Sequence, residues 1–153
     1  MFTEALRYCT VKLSKMIAKD GEGATKLVEC AVHGAKSPKM ARNVAKTVIK
    51  SALVKAAMFG SDANWGRVLC AVGYSGEKID TNTVDVDFVS VAGKLTVCRD
   101  GFGVEFSEEF AKKVLTEDEI VIDINLKIGQ HKATAWGCDL TYDYVKINGD
   151  YRT

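Results

Sequence analysis

ATKLVECAVHG, Ala24 to Gly34, is the stretch on which the fold turns. Lys26, Val28, Cys30 and Val32 alternate with Leu27, Glu29, Ala31 and His33, the period of two of a β-strand, and both sets are partly apolar. The turn DGEG, Asp20 to Gly23, precedes it. Upstream of the turn, Phe2, Leu6, Cys9, Leu13, Met16 and Ile17 step by three and four, which predicts a core-facing helix. Downstream, Ser37 caps a second helix whose first position is Pro38, where a missing N–H costs nothing. Ala41, Val44, Ala45, Val48, Ile49 and Ala52 give that helix one buried stripe.

Farther out, LVKAAMFG (Leu53 to Gly60) is short, apolar and stopped by glycine, and reads as a buried strand. In SDANWGRVLCAVGYSG, Asp62 or Asn64 caps a helix carrying Trp65, Val68, Leu69 and Val72, and Gly73 or Gly76 ends it. VDVDFVSV (Val84 to Val91) and KLTVCRD (Lys94 to Asp100) form an antiparallel hairpin around Ala92 and Gly93. Ser107, with Glu108 and Glu109, opens a helix that ends near Leu115. IVIDINLKIG (Ile120 to Gly129) and KATAWGCDL (Lys132 to Leu140) read as a second strand pair around Gly129 and Gln130, and Thr141 caps a last helix anchored by Tyr142, Val145 and Ile147. The expected fold is α/β (α+β mixed), a layered mixed sheet with helices packed on it. With one proline, no repeat and no linker, residues 1–153 are expected to form a single domain.

Twenty-one Lys and Arg against 20 Asp and Glu leave a formal charge of +1, which argues against nucleic acid or an anionic membrane as partner. Cys9, Cys30, Cys70, Cys98 and Cys138 form an odd set with no CxxC spacing, and read as buried free thiols in a reducing compartment. The basic N-terminal helix has the look of a transit peptide but runs straight into the next motif, and no apolar run approaches the ~20 residues of a membrane span. A cytoplasmic protein is the expectation.

Familiar catalytic signatures fail. GEGATK lacks the phosphate-loop pattern and lies between a helix and a strand, the wrong order for a dinucleotide fingerprint. His33 and His131 stand in no metal-ligand cluster, so no metal and no cofactor are expected. Cys30 and His33 are three apart, and in a strand they face opposite sides, against a nucleophile and base pair. Polar groups beside glycines remain. Glu22, between Gly21 and Gly23, is either a solvated turn acid or a carboxylate that holds an ammonium group where backbone approaches a ligand closely. Asp62, Asn64 and Arg67 either bind or merely cap and pair. Asn148, Asp150, Arg152 and the Thr153 carboxylate read as a hydrated tail or as an amine site.

DGEGATK (Asp20 to Lys26), FGSDANWGR (Phe59 to Arg67), AVGYSG (Ala71 to Gly76) and AWGCDLTYDYVKINGDYRT (Ala135 to Thr153) together resemble the signature segments of the ArgJ family, ornithine acetyltransferases also called glutamate N-acetyltransferases. The resemblance runs in order through essentially the whole chain. Ala52 and Ala63 stand where the family tends to have Pro, and Gly149 where Ala is commoner. It implies an enzyme of arginine biosynthesis whose precursor cuts itself before a threonine into α and β chains. That threonine then carries acetyl from N-acetylornithine to glutamate in two steps, and some members also accept acetyl-CoA. The family's nucleophile and oxyanion donors lie in motifs that this sequence does not contain; Thr3, in FTEAL, sits inside a helical pattern and is not promoted to the role.

The chain therefore resembles the C-terminal part of a β chain, supplying substrate-binding residues to an upstream β-chain segment and an α chain, with an α2β2 assembly expected. Carried over position by position, Glu22, Asn148 and Thr153 are the implied substrate-binding residues, for N-acetylornithine, ornithine or glutamate. A non-catalytic module that binds a small amino acid is the alternative.

Overall fold

The structure is a computed structural model and describes residues 1–151. In chain order it comprises α1 (Phe2–Lys19), β1 (Leu27–Ala35), α2 (Pro38–Lys50), α3 (Ala52–Phe59), α4 (Trp65–Gly73), β2 (Asp85–Ser90), β3 (Gly93–Arg99), β4 (Phe102–Gly103), α5 (Glu108–Leu115), β5 (Glu119–Asn125), β6 (His131–Cys138) and α6 (Tyr142–Asp150). The strands form one mixed sheet in the order β4-β3-β2-β5-β1-β6, in which β1 runs parallel to β5 and every other pairing is antiparallel. The α/β layered architecture expected from the sequence is the one observed.

Alternation along β1 sends Val28, Cys30 and Val32 to one face, where they join Ile120, Ile122, Ile124, Val86, Phe88, Leu95 and Val97 in the core. Helix α2 lies on this face over β1 and β6, and α5 lies over β2 and β3. Met40, Ala41, Val44, Ala45 and Val48 of α2 are buried. Ser37 accepts a hydrogen bond from the Met40 amide at 3.1 Å and so caps that helix as expected. At Gly137 on β6 a Cβ would overlap the Ile49 side chain, so glycine is what lets α2 settle this closely.

The structure corrects six expectations. LVKAAMFG is not a strand but α3, and the helix drawn through Ala52 breaks at Ser51, whose hydroxyl accepts from the Val54 amide at 3.4 Å. Leu, Ala, Lys and Met are helix formers, and a short apolar run carries no period that separates the two structures. The strand pair around Gly129 does not exist either: β5 and β6 each pair with β1, which lies between them. Their connection wraps the end of β1, with the Leu126 and Ile128 amides donating to His33 O and Gly34 O at 3.0 and 2.9 Å. Helix α1 buries no residue, and α6 likewise leaves Tyr142, Val145 and Ile147 exposed. Of the five thiols, Cys30 and Cys98 are buried while Cys9 and Cys70 are exposed and Cys138 is half-buried.

Other expectations hold. The β2–β3 hairpin forms, with its two-residue turn at Val91 and Ala92, one position earlier than expected because Gly93 already pairs with Ser90; Ser107 caps α5, and Thr141 caps α6. Between the two candidate caps of α4 the structure selects Asn64, which accepts from the Arg67 amide at 3.1 Å. No described helix is long and apolar enough to cross a membrane.

Candidate functional site

The loop before β1 and the corner between β6 and α6 are built into one another. The Ala24 amide donates to Gly21 O at 2.9 Å, closing a turn with Glu22 and Gly23 at its centre. Gly23 has φ of +64°, and a Cβ there would lie 2.8 Å from the Tyr144 nitrogen, so both conformation and space require glycine. At Gly21 a Cβ would meet Cys138 Sγ at 2.7 Å. The turn is thus pressed against the first residues of α6.

Polar bonds fix this contact. Asp139 is only 3% exposed, and its carboxylate accepts from the Thr25 amide (2.9 Å), the Thr25 hydroxyl and the Lys26 amide (3.1 Å). A buried carboxylate needs such donors, and here backbone N–H groups supply two of them. Thr141 Oγ1 donates to Gly23 O at 2.7 Å while accepting from the Tyr144 amide at 3.2 Å. Below the loop, the buried Lys26 ammonium donates to Met58 O (2.7 Å), Ser61 Oγ (2.8 Å) and Leu115 O (2.7 Å). Two of these acceptors lie in the last turns of α3 and α5, whose terminal carbonyls have no partner within their helices and favour a cation. Burial lowers the Lys26 pKa below that of an ordinary lysine, although nearby Asp139 and Asp118 oppose the shift.

On this frame Asn148 Nδ2 donates to Glu22 Oε2 at 2.9 Å and to Tyr144 O at 2.9 Å. Two of the three predicted binding residues, 126 positions apart, therefore meet at the surface, both exposed to an incoming ligand. Thr153, the third, lies outside the described residues, as does Arg152. An exposed carboxylate beside an amide oxygen presents acceptors to an ammonium group, and the amide N–H can meet a carboxylate.

The remaining candidates have structural partners. Asp62 accepts from Asn64 Nδ2 at 3.0 Å, Asn64 caps α4, and Arg67 donates to Leu53 O at 3.1 Å. Cys30 points into the core, where burial raises its pKa and keeps the thiol neutral; His33, on the opposite face, meets Asp123 at 3.1 Å. Asp150 is exposed at the end of α6, and Thr3 is exposed in the first turn of α1. Sequence reasoning assigned Thr141 only as a cap and overlooked Asp139, although both stand in the string CDLT that carries the resemblance.

A second polar group covers the outer face of the sheet. Asp87, 6% exposed, meets Lys94 at 2.7 Å and Arg99 at 2.6 Å, and Lys127 bridges Asp85 and Asp100 at 2.6 and 2.7 Å. Burial alone would raise the Asp87 pKa. Hydrogen bonds from Lys94, Thr96 and Arg99 outweigh it and hold the carboxyl below the usual range. Among the described residues no group of three or more His, Cys, Asp or Glu is arranged to hold a metal ion.

A family model described as "ArgJ family" matches residues 1–153. The arginine biosynthesis bifunctional protein ArgJ 1 of Clostridium acetobutylicum is 58% identical over all of this chain, which covers 38% of that relative. The glutamate N-acetyltransferase of Methanosarcina mazei is 47% identical over 99% of the chain, covering 39% of its own length. The chain thus spans well under half of the curated relatives it matches. The crystal structure of the arginine biosynthesis bifunctional protein argJ from Bacillus halodurans is 46% identical, with a TM-score of 0.92 over 98% of this chain and 69% of that one. With a family model spanning every residue and a crystal relative of nearly superposable fold, this chain belongs to the ArgJ family.

Proposed function

We propose that residues 1–153 are one segment, a single domain, of a longer N-acetyltransferase of arginine biosynthesis, and that they supply substrate-binding groups rather than the nucleophile. The names of the relatives and the chain's 38% share of their length support this reading. In the proposed reaction a threonine hydroxyl on a segment outside this chain attacks the acetyl carbonyl of N-acetylornithine. The C–N bond breaks, ornithine leaves as the protonated amine, and an acetyl-threonine ester remains. Glutamate's amine then attacks the ester, becoming N-acetylglutamate and returning the hydroxyl. Oxyanion stabilisation comes from the partner α chain. Acetyl-CoA is a second acetyl source, no cofactor is used, and the assembly is α2β2 in the cytoplasm.

The observation that carries this reading is the Glu22–Asn148 hydrogen bond of 2.9 Å, which joins two residues that the resemblance assigns to substrate. Glu22 takes an ammonium group, of the substrate or of the nucleophilic threonine's own α-amine. Asn148 orients the amino acid's polar ends, and Thr153 completes the amine site. In the complete enzyme Glu22→Gln is expected to lower kcat/KM roughly 10–100-fold while the fold survives, the scale of losing one hydrogen bond to a charged group. Near-normal transfer from N-acetylornithine to glutamate by that variant removes Glu22 from the site. Purified alone, the 153-residue chain is expected to transfer no acetyl.

A further inference from the structure

Glu22 is exposed, and the side-chain bond the structure gives it is the one from Asn148. Its position is therefore set by its backbone, and that backbone is held from one place. Gly23 O, one peptide beyond Glu22, accepts from Thr141 Oγ1 at 2.7 Å. Two and three residues farther, Thr25 and Lys26 give their amides to the buried Asp139 carboxylate at 2.9 and 3.1 Å. The same Thr141 oxygen accepts from the Tyr144 amide at 3.2 Å, and Tyr144 O in turn accepts from Asn148 Nδ2 at 2.9 Å. One hydroxyl thus donates to the turn bearing Glu22 and caps the helix bearing Asn148, so it sets the spacing between them. A helix cap requires only the accepting half of this arrangement. The donated bond to the loop is additional to it.

We propose that Asp139 and Thr141 are positioning residues for substrate binding, acting through Glu22 by holding the Gly21–Lys26 turn against the start of α6. The inference rests on the reading of Glu22 as a substrate-binding group. Aspartate at position 141 keeps an acceptor for the Tyr144 amide but has no proton for Gly23 O, so Thr141→Asp separates the tie from the cap. Thr141→Ser retains both.

The test is a double-mutant cycle in the complete enzyme, with N-acetylornithine as donor and glutamate as acceptor. Thr141→Asp is expected to raise the KM for N-acetylornithine about tenfold with kcat little changed, and, because Thr141 is only 5% exposed, to lower the thermal midpoint as well; Thr141→Ser is expected to restore both. Asp139→Asn is expected to move KM in the same direction. In a Glu22→Gln background Thr141→Asp is expected to add less than about a twofold change, because the group it positions is gone. A full tenfold increment in that background, or an unchanged KM in the single variant, overturns the positioning role while leaving Glu22 in the site. A Glu22→Gln enzyme with normal kinetics overturns the underlying site reading and this inference with it. Should Thr141→Asp fail to accumulate as folded protein, the cycle with Asp139→Asn decides by the same criteria.

Discussion

Helices α1 and α2 each carry an apolar stripe among lysines, yet they end in opposite surroundings. In α2 the stripe is made of small side chains, Ala41, Val44, Ala45 and Val48, each fully buried against the sheet, and Gly137 on β6 leaves room for Ile49. In α1 the stripe is made of large ones, and Phe2, Leu6, Leu13, Met16 and Ile17 stay exposed. What ties α1 to the sheet includes ion pairs, Lys15 with Glu29 at 2.9 Å and Lys19 with Glu119 at 3.5 Å, contacts worth about 0–1 kcal/mol each at such exposure. Amphipathicity states that a helix face has a partner; it does not state that these residues provide it. Between the two extremes lies the outer sheet face, where burial is partial and charges are paired rather than excluded.

Three substitutions probe that contrast. Val48→Asp in α2 places an unpaired carboxylate where no solvent reaches, and is expected to cost about 4 kcal/mol or more, seen as loss of a cooperative urea transition. A folded variant with a near-native midpoint would mean that α2 is not the core helix. Asp87→Asn on the outer face is expected to cost about 1–3 kcal/mol at neutral pH, because Lys94 and Arg99 lose their counter-charge. The parent's Asp87 has a folded-state pKa below its unfolded one, so its contribution is present above pH ~4 and disappears as pH falls through the folded value. The gap between parent and variant should therefore close on acidification, and a gap that stays constant with pH would show that the pair does not stabilise by charge. Ile17→Ser on α1 is expected to move stability by no more than about 0.5 kcal/mol in this chain, and a loss of the size seen for core residues would show that α1 packs down in solution.

Caps and hairpins were legible because they are local. Ser37, Ser107 and Thr141 each satisfy an amide three residues ahead, and Val91 with Ala92 reverses the chain between two alternating strands. The α3 segment was misread because Leu53 to Gly60 is too short and too uniformly apolar to display a period. β5 and β6 are neighbours in sequence but not in space, because β1 inserts between them and pairs with both. For the candidate site, Glu22 and Asn148 were identified through motif resemblance, and neither composition nor periodicity would have joined them. Asp139 was missed because a single aspartate after a strand looks like any surface acid until its burial is known.

By itself the sequence determined the helices with capped ends and a clear stripe, the alternating strands, and the glycine turn that displays Glu22, since each follows from side chains within a few positions of one another. Tertiary structure alone decided that β1 lies between β5 and β6, that α2 is covered and α1 is not, and that Asp139 and Thr141 hold the Glu22 turn against the helix of Asn148. Those outcomes depend on contacts between residues up to 126 positions apart, whose free energies are set by burial and geometry that no local pattern encodes.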